Sequence, residues 1–364
     1  MADGRMTRRD FLQTSASAAA AGGLAMGIGA LGPQAAQAAG ESDLTKTRSY
    51  HPEMEYRRLG KTGLWVSAVC LGGHWKRIKT VLKTVEPKEG RSPFDQNRYD
   101  VVTRCIEAGI NYIDACTIEE VQAYSKALQG RREAMYLGCS WYQNEMRNEN
   151  FRTAEALLST LDKGMKEAGL EYVDLWRITM HERSGRHTEA EVREMMKALE
   201  TAKKQGKARF VGFSSHDRKH IKWMVETFPA VVDAVATPYT ADSKVLPKDS
   251  VFEAVTKGKV GVFGIKPFAS NSLFKGDSSP TSPEAEANDR RARLAIRYIL
   301  ENPAITAPIP GLISVPQVDN VALAVKERRQ ELSAEEKAEL KAAGREMWAK
   351  LPDDYQWLRD WEYV

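Results

Sequence analysis

A carboxylate, Asp114, follows a short apolar stretch in AGINYIDACTIEE, residues 108–120. Gly109 suits the left-handed residue that ends a helix, and Tyr112 and Ile113 begin an apolar strand that leads to Asp114. In a barrel of parallel strands, the carboxyl ends of the strands carry the chemistry. The pattern therefore makes Asp114 the first candidate catalytic residue.

Other titratable residues lie at comparable positions. Glu119 could act as an acid if burial raised its pKa, although the helix dipole alone would also stabilise a glutamate at a helix start. His181 lies two residues beyond Thr179 and would share its face of a continuing strand, about 6.6 Å further up, unless the loop simply exposes it. His74 and His216 also follow expected strand ends. No ligand spacing among these residues predicts a metal site.

The cysteines are Cys70, Cys105, Cys116 and Cys139, and they form no CxxC pair. This spacing excludes a zinc ribbon or a thioredoxin motif. Cys105 lies in a helix pattern and is expected to be a small buried residue. Cys116 and Cys139 belong to neighbouring strand ends, where a disulfide or a metal pair is conceivable but not predicted by sequence alone.

Strand-like and helix-like segments alternate along the chain, which is typical of a parallel sheet with helical crossovers. The predicted strands are 68–72, 112–114, 134–140, 173–179, 208–214, 234–237, 261–267 and 305–308. The predicted helices are 95–108, 117–129, 151–168, 188–205, 217–227, 248–257, 284–301 and 316–328. Eight pairs predict a closed barrel. An open doubly wound sheet would carry a glycine-rich phosphate turn after its first strand, and none is present.

The segments around these pairs have other patterns. Residues 55–67 alternate around two glycines and predict a hairpin, whereas residues 75–93 are basic and predict a surface loop. Residues 334–350 predict a further amphipathic helix. The tail, residues 351–364, carries Tyr355, Trp357, Trp361 and Tyr363 and is expected to pack over the barrel.

Six motifs in order along residues 55–329 resemble the aldo-keto reductases: RRLGKTGLWVS, AGINYIDA, YVDLWRITMH, GKARFVGFSS, GVFGIKPF and IPGLISVPQVDN. Together they are specific, whereas each alone would be weak. The resemblance implies an α/β fold, a (β/α)₈ TIM barrel, that passes hydride between NAD(P)(H) and a carbonyl. It also implies a tyrosine acid, a lysine that lowers the pKa of the tyrosine, an aspartate that holds the lysine and a histidine that orients the carbonyl.

Asp114 matches the family's aspartate, but the other three positions differ. The tyrosine position holds Glu119, the lysine position Ser140 and the histidine position Thr179. Tyr124 lies on the expected packed face of its helix and is interpreted as a core residue. Because proton transfer is worth about 10²–10⁴-fold in rate, reduction by the family mechanism should be badly impaired.

The cofactor positions are partly retained. Ser214 matches a residue near the nicotinamide amide, but the aromatic on which the nicotinamide stacks is replaced by Ile265, followed by Lys266. The resemblance places the dinucleotide motif at Gly311, Ser314, Gln317 and Asn320. A helix that starts at residues 315–316 could hold a phosphate. These residues are compatible with NADP or NAD, although the same segment could simply close the barrel.

Residues 7–12, TRRDFL, resemble a twin-arginine export motif, and a small-residue run and the sequence AQA at 36–38 follow. This combination predicts a removable signal and a periplasmic or extracellular protein that meets the export machinery. The run is too short and too rich in Ala and Gly for a stable membrane span. The predicted organisation is a signal over 1–38, a linker over 39–54, a reductase-like barrel over 55–330 and a helix with an aromatic tail over 331–364.

The net charge of +4 is too small to favour nucleic acid as a partner, and a small-molecule ligand is expected. Two functions remain open: an exported NAD(P)-linked oxidoreductase with an altered site, or a non-catalytic binding protein on a degenerate barrel. Asp114 has lost the lysine that it would neutralise. A buried carboxylate needs a partner, and Arg177, which shares the inward face of Thr179, is predicted to be that partner, with Lys266 as the competitor.

Overall fold

The computed structural model describes residues 43–88, 90–243, 250–276 and 280–361. The strands are β1 Tyr56–Arg58, β2 Trp65–Ser67, β3 Leu71–Gly72, β4 Tyr112–Ala115, β5 Tyr136–Cys139, β6 Val173–Thr179, β7 Ala208–Ser214, β8 Ala234–Pro238, β9 Gly261–Ile265 and β10 Ala307–Ile309. The α-helices are α1 Ile78–Leu82, α2 Pro93–Glu107, α3 Ile118–Ala127, α4 Ala154–Glu167, α5 Glu189–Lys204, α6 Arg218–Thr227, α7 Val251–Lys257, α8 Ala285–Glu301, α9 Val315–Glu327, α10 Ala334–Ala349 and α11 Trp357–Trp361.

Strands β3 to β10 form one parallel sheet in sequence order, and its two ends meet. A parallel bridge joins Gly72 to Gly311, and the Gly72 amide donates to the Pro310 carbonyl at 2.8 Å. Gly311 suits this closure because a Cβ on it would lie 2.5 Å from the Gly73 carbonyl oxygen. The sheet is therefore a (β/α)₈ barrel, which confirms the predicted fold class.

The predicted hairpin is present, with β1 and β2 antiparallel and Tyr56 opposite Ser67. Leu59 and Leu64 of the turn and Val66 of β2 are buried in one cluster with residues of the barrel strands, among them Phe263. Because this cluster fills the amino-terminal end of the barrel, the hairpin plugs that end. The opposite end, where the strands terminate, is left for chemistry.

A second, larger apolar cluster lies between the barrel and its helices. Helices α5 and α10 both begin with a capping box, in which Thr188 and Ser333 accept from the amides of Glu191 and Glu336. The left-handed Gly109, with φ of 79°, ends the turn after α2 as the sequence predicted. The two N-caps fix where α5 and α10 begin, and Gly109 fixes where the chain leaves α2 toward β4.

Two segments are more ordered than their composition predicted. The surface loop expected over 75–93 contains the short helix α1, and α2 already starts at Pro93. The described part of the expected linker, residues 43–54, is bonded to the barrel: Thr47 Oγ1 donates to the Trp65 carbonyl at 2.7 Å, and Arg48 Nη1 donates to Asp174 at 3.0 Å. The predicted export signal, residues 1–38, lies outside the described residues.

The carboxyl-terminal segment returns over the open end of the barrel. After α10, Tyr355 and Trp357 lie beside Lys266, with its Nζ 5.3 Å and 5.5 Å from the two ring centres. This agrees with the tail expected to cover the barrel; the side chain of Trp361 and the whole of Tyr363 fall outside the described residues. Within the described ranges, no helix combines the length and the hydropathy that a membrane crossing requires.

Candidate active site

A cavity of about 540 Å³ opens at the carboxyl ends of the strands, and we call it the barrel-mouth cavity. One end is lined by Asp114, Cys116 and Arg177, and the other by Gly311, Pro316 and Gln317 at the start of α9. The tail contributes Tyr355 and Trp357 to its wall. The cavity is thus continuous from the barrel axis to the first turn of a helix.

Asp114 is bound by Arg177 through two parallel hydrogen bonds. Nε of Arg177 donates to Oδ1 at 3.0 Å, and Nη2 donates to Oδ2 at 2.8 Å. Burial alone would lower the pKa of Arg177, but the Asp114 carboxylate outweighs it and raises that pKa, so the guanidinium stays charged. The predicted pair is confirmed, because β4 and β6 are alternate strands and deliver side chains to one layer of the interior.

The lysine and histidine positions of the resemblance are organised around a third residue, Glu145. Ser140 Oγ donates to Glu145 Oε2 at 2.7 Å, and the Thr179 amide donates to the same oxygen at 2.7 Å. The Trp141 amide and the Trp176 indole donate to Oε1 at 3.0 and 3.2 Å. Burial raises the pKa of Glu145, although all four donors act to lower it.

Hydroxyl groups connect Glu145 to the cavity. Thr179 Oγ1 lies 2.6 Å from Ser140 Oγ, and Ser214 Oγ donates to Thr179 Oγ1 at 3.3 Å. Ser214 and Thr179 line the cavity, whereas Ser140 and Glu145 lie behind them. The four residues therefore form a hydrogen-bonded chain from the cavity wall to a buried carboxyl group.

The two neighbouring glutamates of α3 occupy different places. Glu119 is exposed and does not line the barrel-mouth cavity, so its predicted catalytic role stays a prediction without support from its position. Glu120 is buried and reaches across to the loop after β3, where its Oε1 lies 2.8 Å from Nδ1 of His74. The sequence reasoning selected the exposed neighbour.

The predicted histidines do not all converge. His74 and His216 line the cavity, but His181 does not, and its loop neighbour Glu182 does. His216 is buried and stacks on Trp357 with ring centres 4.4 Å apart, and burial holds its pKa well below the usual range. Tyr124 is a core residue, as interpreted, and donates to the Gly72 carbonyl at 2.6 Å.

Lys266 lines the cavity on a left-handed backbone with φ of 57°. Burial lowers its pKa to about 8. Left-handed φ values recur just beyond it at Ala269, Ser270 and Asn271, and such backbone strain in non-glycine residues is concentrated at functional sites. The cation and the strained turn together shape the side of the cavity that faces the tail.

At the end of the cavity near α9, the residues of the dinucleotide motif differ in whether their side chains are already hydrogen-bonded within the protein. Gln317 Oε1 accepts from the Ile313 amide, and Asn320 is bonded to Arg293 and to the Asp289 carbonyl. Ser314 is the N-cap of the 13-residue α9, yet its buried Oγ has no partner among the described residues. A buried hydroxyl at a helix N-terminus fits a phosphate oxygen.

All four cysteines are free thiols; three are buried and Cys116 is partly exposed. Cys105 is a core residue, as expected. Cys139 faces the outer apolar cluster, whereas Cys116 lines the cavity. The Cys139 side chain therefore lies in the apolar core, and the Cys116 side chain lies at the cavity.

The aldo/keto reductase family model matches residues 84–345, which is more than half of the chain. The chain belongs to the aldo/keto reductase family. It is 27% identical over 304 residues to the L-galactose dehydrogenase of Arabidopsis thaliana, covering 76% of this chain and 89% of the plant protein. An uncharacterized oxidoreductase of Bacillus subtilis is 24% identical over 75% of this chain and 91% of its own length.

Solved structures agree on the fold. The holo form of aldo-keto reductase AKR11C1 from Bacillus halodurans superposes with a TM-score of 0.57 at 19% identity, over 80% of this chain and 96% of that one. The aldo-keto reductase MGS-M4 from a deep-sea metagenome gives a TM-score of 0.55 at 16% identity, over 79% and 94% of the two chains. At such identities these structures show the barrel alone.

Two site residues of this aldo/keto reductase were missed from the sequence. Glu145 lies in the polar stretch 141–150, where nothing in the composition predicts a fully buried carboxyl group. Glu120 had a signal, because Thr117 and Glu120 have the spacing of a capping box. In the structure, the Glu120 carboxylate accepts from the Cys116 amide at 2.8 Å and not from the amide of the cap residue.

Proposed function

We propose that this aldo/keto reductase is an oxidoreductase that binds NAD or NADP along the barrel-mouth cavity and acts on a small carbonyl or hydroxyl compound by an altered mechanism. The observation that carries the proposal is the continuity of the cavity, from Arg177 and Thr179 on the barrel axis to the start of α9. This length and direction suit a dinucleotide with its phosphates at α9 and its reactive end over the strands.

The residues present fit such a cofactor best at its phosphate end. Ser314 offers a buried hydroxyl without a partner in the described chain, and the first turn of α9 offers its free amides. Ser214 lines the other end, where it could bind a nicotinamide amide. When bound, the nicotinamide would supply or accept a hydride.

The proton would travel through the hydroxyl chain of Thr179, Ser140 and Glu145. Glu145 has a pKa raised by burial, so it holds a proton to higher pH than an exposed glutamate does. In reduction, Thr179 would donate its hydroxyl proton to the carbonyl oxygen and take the proton of Ser140. Protonated Glu145 would then give its proton to Ser140, with the Ser140 hydroxyl turned away from the carboxyl group, and would be left as a carboxylate. Arg177 keeps Asp114 charge-balanced beside this path, and Lys266 adds positive charge on the tail side of the cavity.

Titration of the full chain with NADPH and NADH, followed by protein and nucleotide fluorescence, tests the binding half of the proposal. Ser314→Glu should weaken binding at least about 10-fold, since it places an anion at the phosphate position. Gln129→Glu makes the same charge change at an exposed residue beyond α3 and should leave the affinity unchanged. Absence of binding by either nucleotide to folded protein would reject the proposal.

A panel of carbonyl substrates with the bound nucleotide tests the catalytic half. If the protein turns over a substrate, Glu145→Gln should abolish that turnover and keep the nucleotide affinity. This result would support the hydroxyl chain as the proton path. The second candidate function, a ligand-binding protein without catalysis, is favoured by the closed Asp114–Arg177 pair, because the partner of Asp114 is an arginine and not a lysine that could tune an acid. Nucleotide binding without turnover on any substrate of the panel would favour it.

We further propose that residues 1–38 direct export by the twin-arginine pathway. The proposal rests on the paired Arg8 and Arg9, the small-residue run and the AQA sequence at 36–38. Cell fractionation should find the processed chain outside the cytoplasm, and replacement of both arginines by lysine should retain it inside. Equal distribution of the two forms would contradict export by this route.

A further inference from the structure

Three side chains with metal-binding atoms meet at the carboxyl end of β3 and β4. They are His74, Cys116 and Glu120, and one ligand atom from each lies within 4.8 Å of the others. Sγ of Cys116 is 3.8 Å from Nδ1 of His74, and that nitrogen is 2.8 Å from Oε1 of Glu120. The sequence spacing gave no hint of this group, because β3 and β4 are joined through two helices.

Local structure holds the three residues together. His74 has a left-handed backbone with φ of 55°, which turns its ring toward α3. A Cβ on Gly73 would lie 2.0 Å from Cδ of Glu120, so a glycine there lets the carboxylate tuck beneath the loop. Thr117 caps α3 by accepting from the Glu120 amide at 3.1 Å, which places Glu120 in the first turn of the helix, close to Cys116. The backbone therefore positions each ligand atom before anything binds.

Glu120 supplies the group with a buried carboxylate. The Glu120 side chain is only 4% exposed, and among the ion pairs of the described residues the one that contains it has His74 as its partner. Amides of His74 and Cys116 also donate to the carboxylate, but these donors are neutral. A buried carboxylate beside a thiol and an imidazole attracts a cation more strongly than the same groups would in water.

One side of the group is open. His74 and Cys116 line the barrel-mouth cavity, whereas Glu120 lies behind them, and the His74 side chain is 53% exposed. Tetrahedral zinc, with bonds of about 2.0–2.3 Å, brings neighbouring ligand atoms to roughly 3.5 Å from each other. The separations of 2.8 and 3.8 Å lie on either side of that value, and all three ligand atoms lie within 4.8 Å of one another, so side-chain rotations can bring them to it.

We propose that His74, Cys116 and Glu120 bind one divalent transition-metal ion of the zinc class, with a fourth coordination position facing the barrel-mouth cavity. Nitrogen, sulfur and oxygen ligands in this combination suit Zn²⁺ or Co²⁺ rather than Mg²⁺ or Ca²⁺, which prefer oxygen alone. Three protein ligands with one open position are typical of a zinc ion that contacts a substrate. The site does not depend on whether the chain binds a dinucleotide.

The test uses the full chain, treated with chelator and titrated with Co²⁺ alone, without nucleotide. We expect one equivalent to bind, with a near-ultraviolet sulfur-to-cobalt charge-transfer band and visible bands of tetrahedral intensity, and Zn²⁺ to displace it. Cys116→Ser should abolish the charge-transfer band and weaken Zn²⁺ binding about 100-fold or more. Serine is close to cysteine in size, and the backbone amide of residue 116 can still donate to Glu120, so this variant should fold.

Matched variants separate this site from others on the chain. Cys70, Cys105 and Cys139 remain in Cys116→Ser, so loss of the band assigns the sulfur ligand. His74→Gln should weaken binding comparably, whereas His51→Gln, on the segment before the hairpin, should not. Absence of a charge-transfer band in natively folded protein would overturn the proposal, as would tight Zn²⁺ binding that survives both Cys116→Ser and His74→Gln.

Discussion

Arg177 holds Asp114 by two hydrogen bonds of 3.0 and 2.8 Å, at the height in the barrel where the family resemblance implies a lysine. Both side chains are at most 6% exposed. The cation that pairs with Asp114 lies on β6, whereas the resemblance implies one after β5. A bidentate guanidinium fixes the carboxylate more firmly than an ammonium and cannot give up its proton.

Removal of the guanidinium should destabilise the fold strongly. We expect Arg177→Met to lower the free energy of unfolding by about 3–5 kcal/mol, because it leaves Asp114 buried and unpaired. Urea unfolding of the two single variants and of Asp114→Asn/Arg177→Met measures the coupling. The double variant should recover much of the loss. Additive losses in the double variant would show that the pair is not energetically coupled.

Loss of Glu145 should also cost stability, because the buried amides of Trp141 and Thr179 and the Trp176 indole would lose their acceptor. We expect Glu145→Ala to lower the free energy of unfolding by at least about 3 kcal/mol. Glu149→Gln, at an exposed position nearby, should stay within about 0.5 kcal/mol of wild type. A similarly small effect of Glu145→Ala would mean that water replaces the acceptor.

The difference in unfolding free energy between wild type and Glu145→Gln should change with pH in one direction. Because the pKa of Glu145 is raised by burial, the folded state keeps the proton to higher pH than the unfolded state. Its contribution to stability is therefore full in acid and is lost as pH rises through the folded-state pKa. Unfolding free energies measured from pH 4 upward should fall for wild type relative to Glu145→Gln. A constant difference would contradict the raised pKa.

The contribution of Lys266 to stability should rise with pH in the alkaline range, which is opposite to the effect of Glu145. Its folded-state pKa of about 8 lies below the ordinary 10.5, so the unfolded state binds the proton more strongly between these values. Stability should rise with pH across that window. We expect Lys266→Met to stabilise the fold by about 1–3 kcal/mol at pH 7 and by less at pH 10, as measured by chemical unfolding. An equal gain at both pH values would show that the lysine is not desolvated.

Reduction of simple aldehydes should be slow, well below the median enzyme rate of about 10 s⁻¹, and a tyrosine at the aligned position should not restore it. Glu119 is exposed and outside the cavity, so Glu119→Tyr should change the rate less than about 2-fold. Steady-state assays with NADPH and NADH measure this, with Glu119→Gln as the control. A large gain in Glu119→Tyr would place this side chain in the cavity.

The alternation of strands and helices predicted the barrel. The spacing of apolar residues along each segment shows whether it is a strand or a helix and which of its faces is buried. The Asp114–Arg177 pair was also predictable, since strand alternation and barrel layering fix which side chains share a height. Glu145 and the His74–Cys116–Glu120 group were not, because contacts between segments far apart in the sequence place them. A loop residue's burial depends on tertiary contacts that no local pattern encodes.

The placement of Tyr355 and Trp357 on the cavity wall has a consequence for biosynthesis. A ribosome makes these residues after every barrel strand, so the barrel can close before its cavity is complete. Until Tyr355 and Trp357 are in place, Lys266 would face water instead of two aromatic rings. Synthesis of this segment therefore also completes the wall of the site.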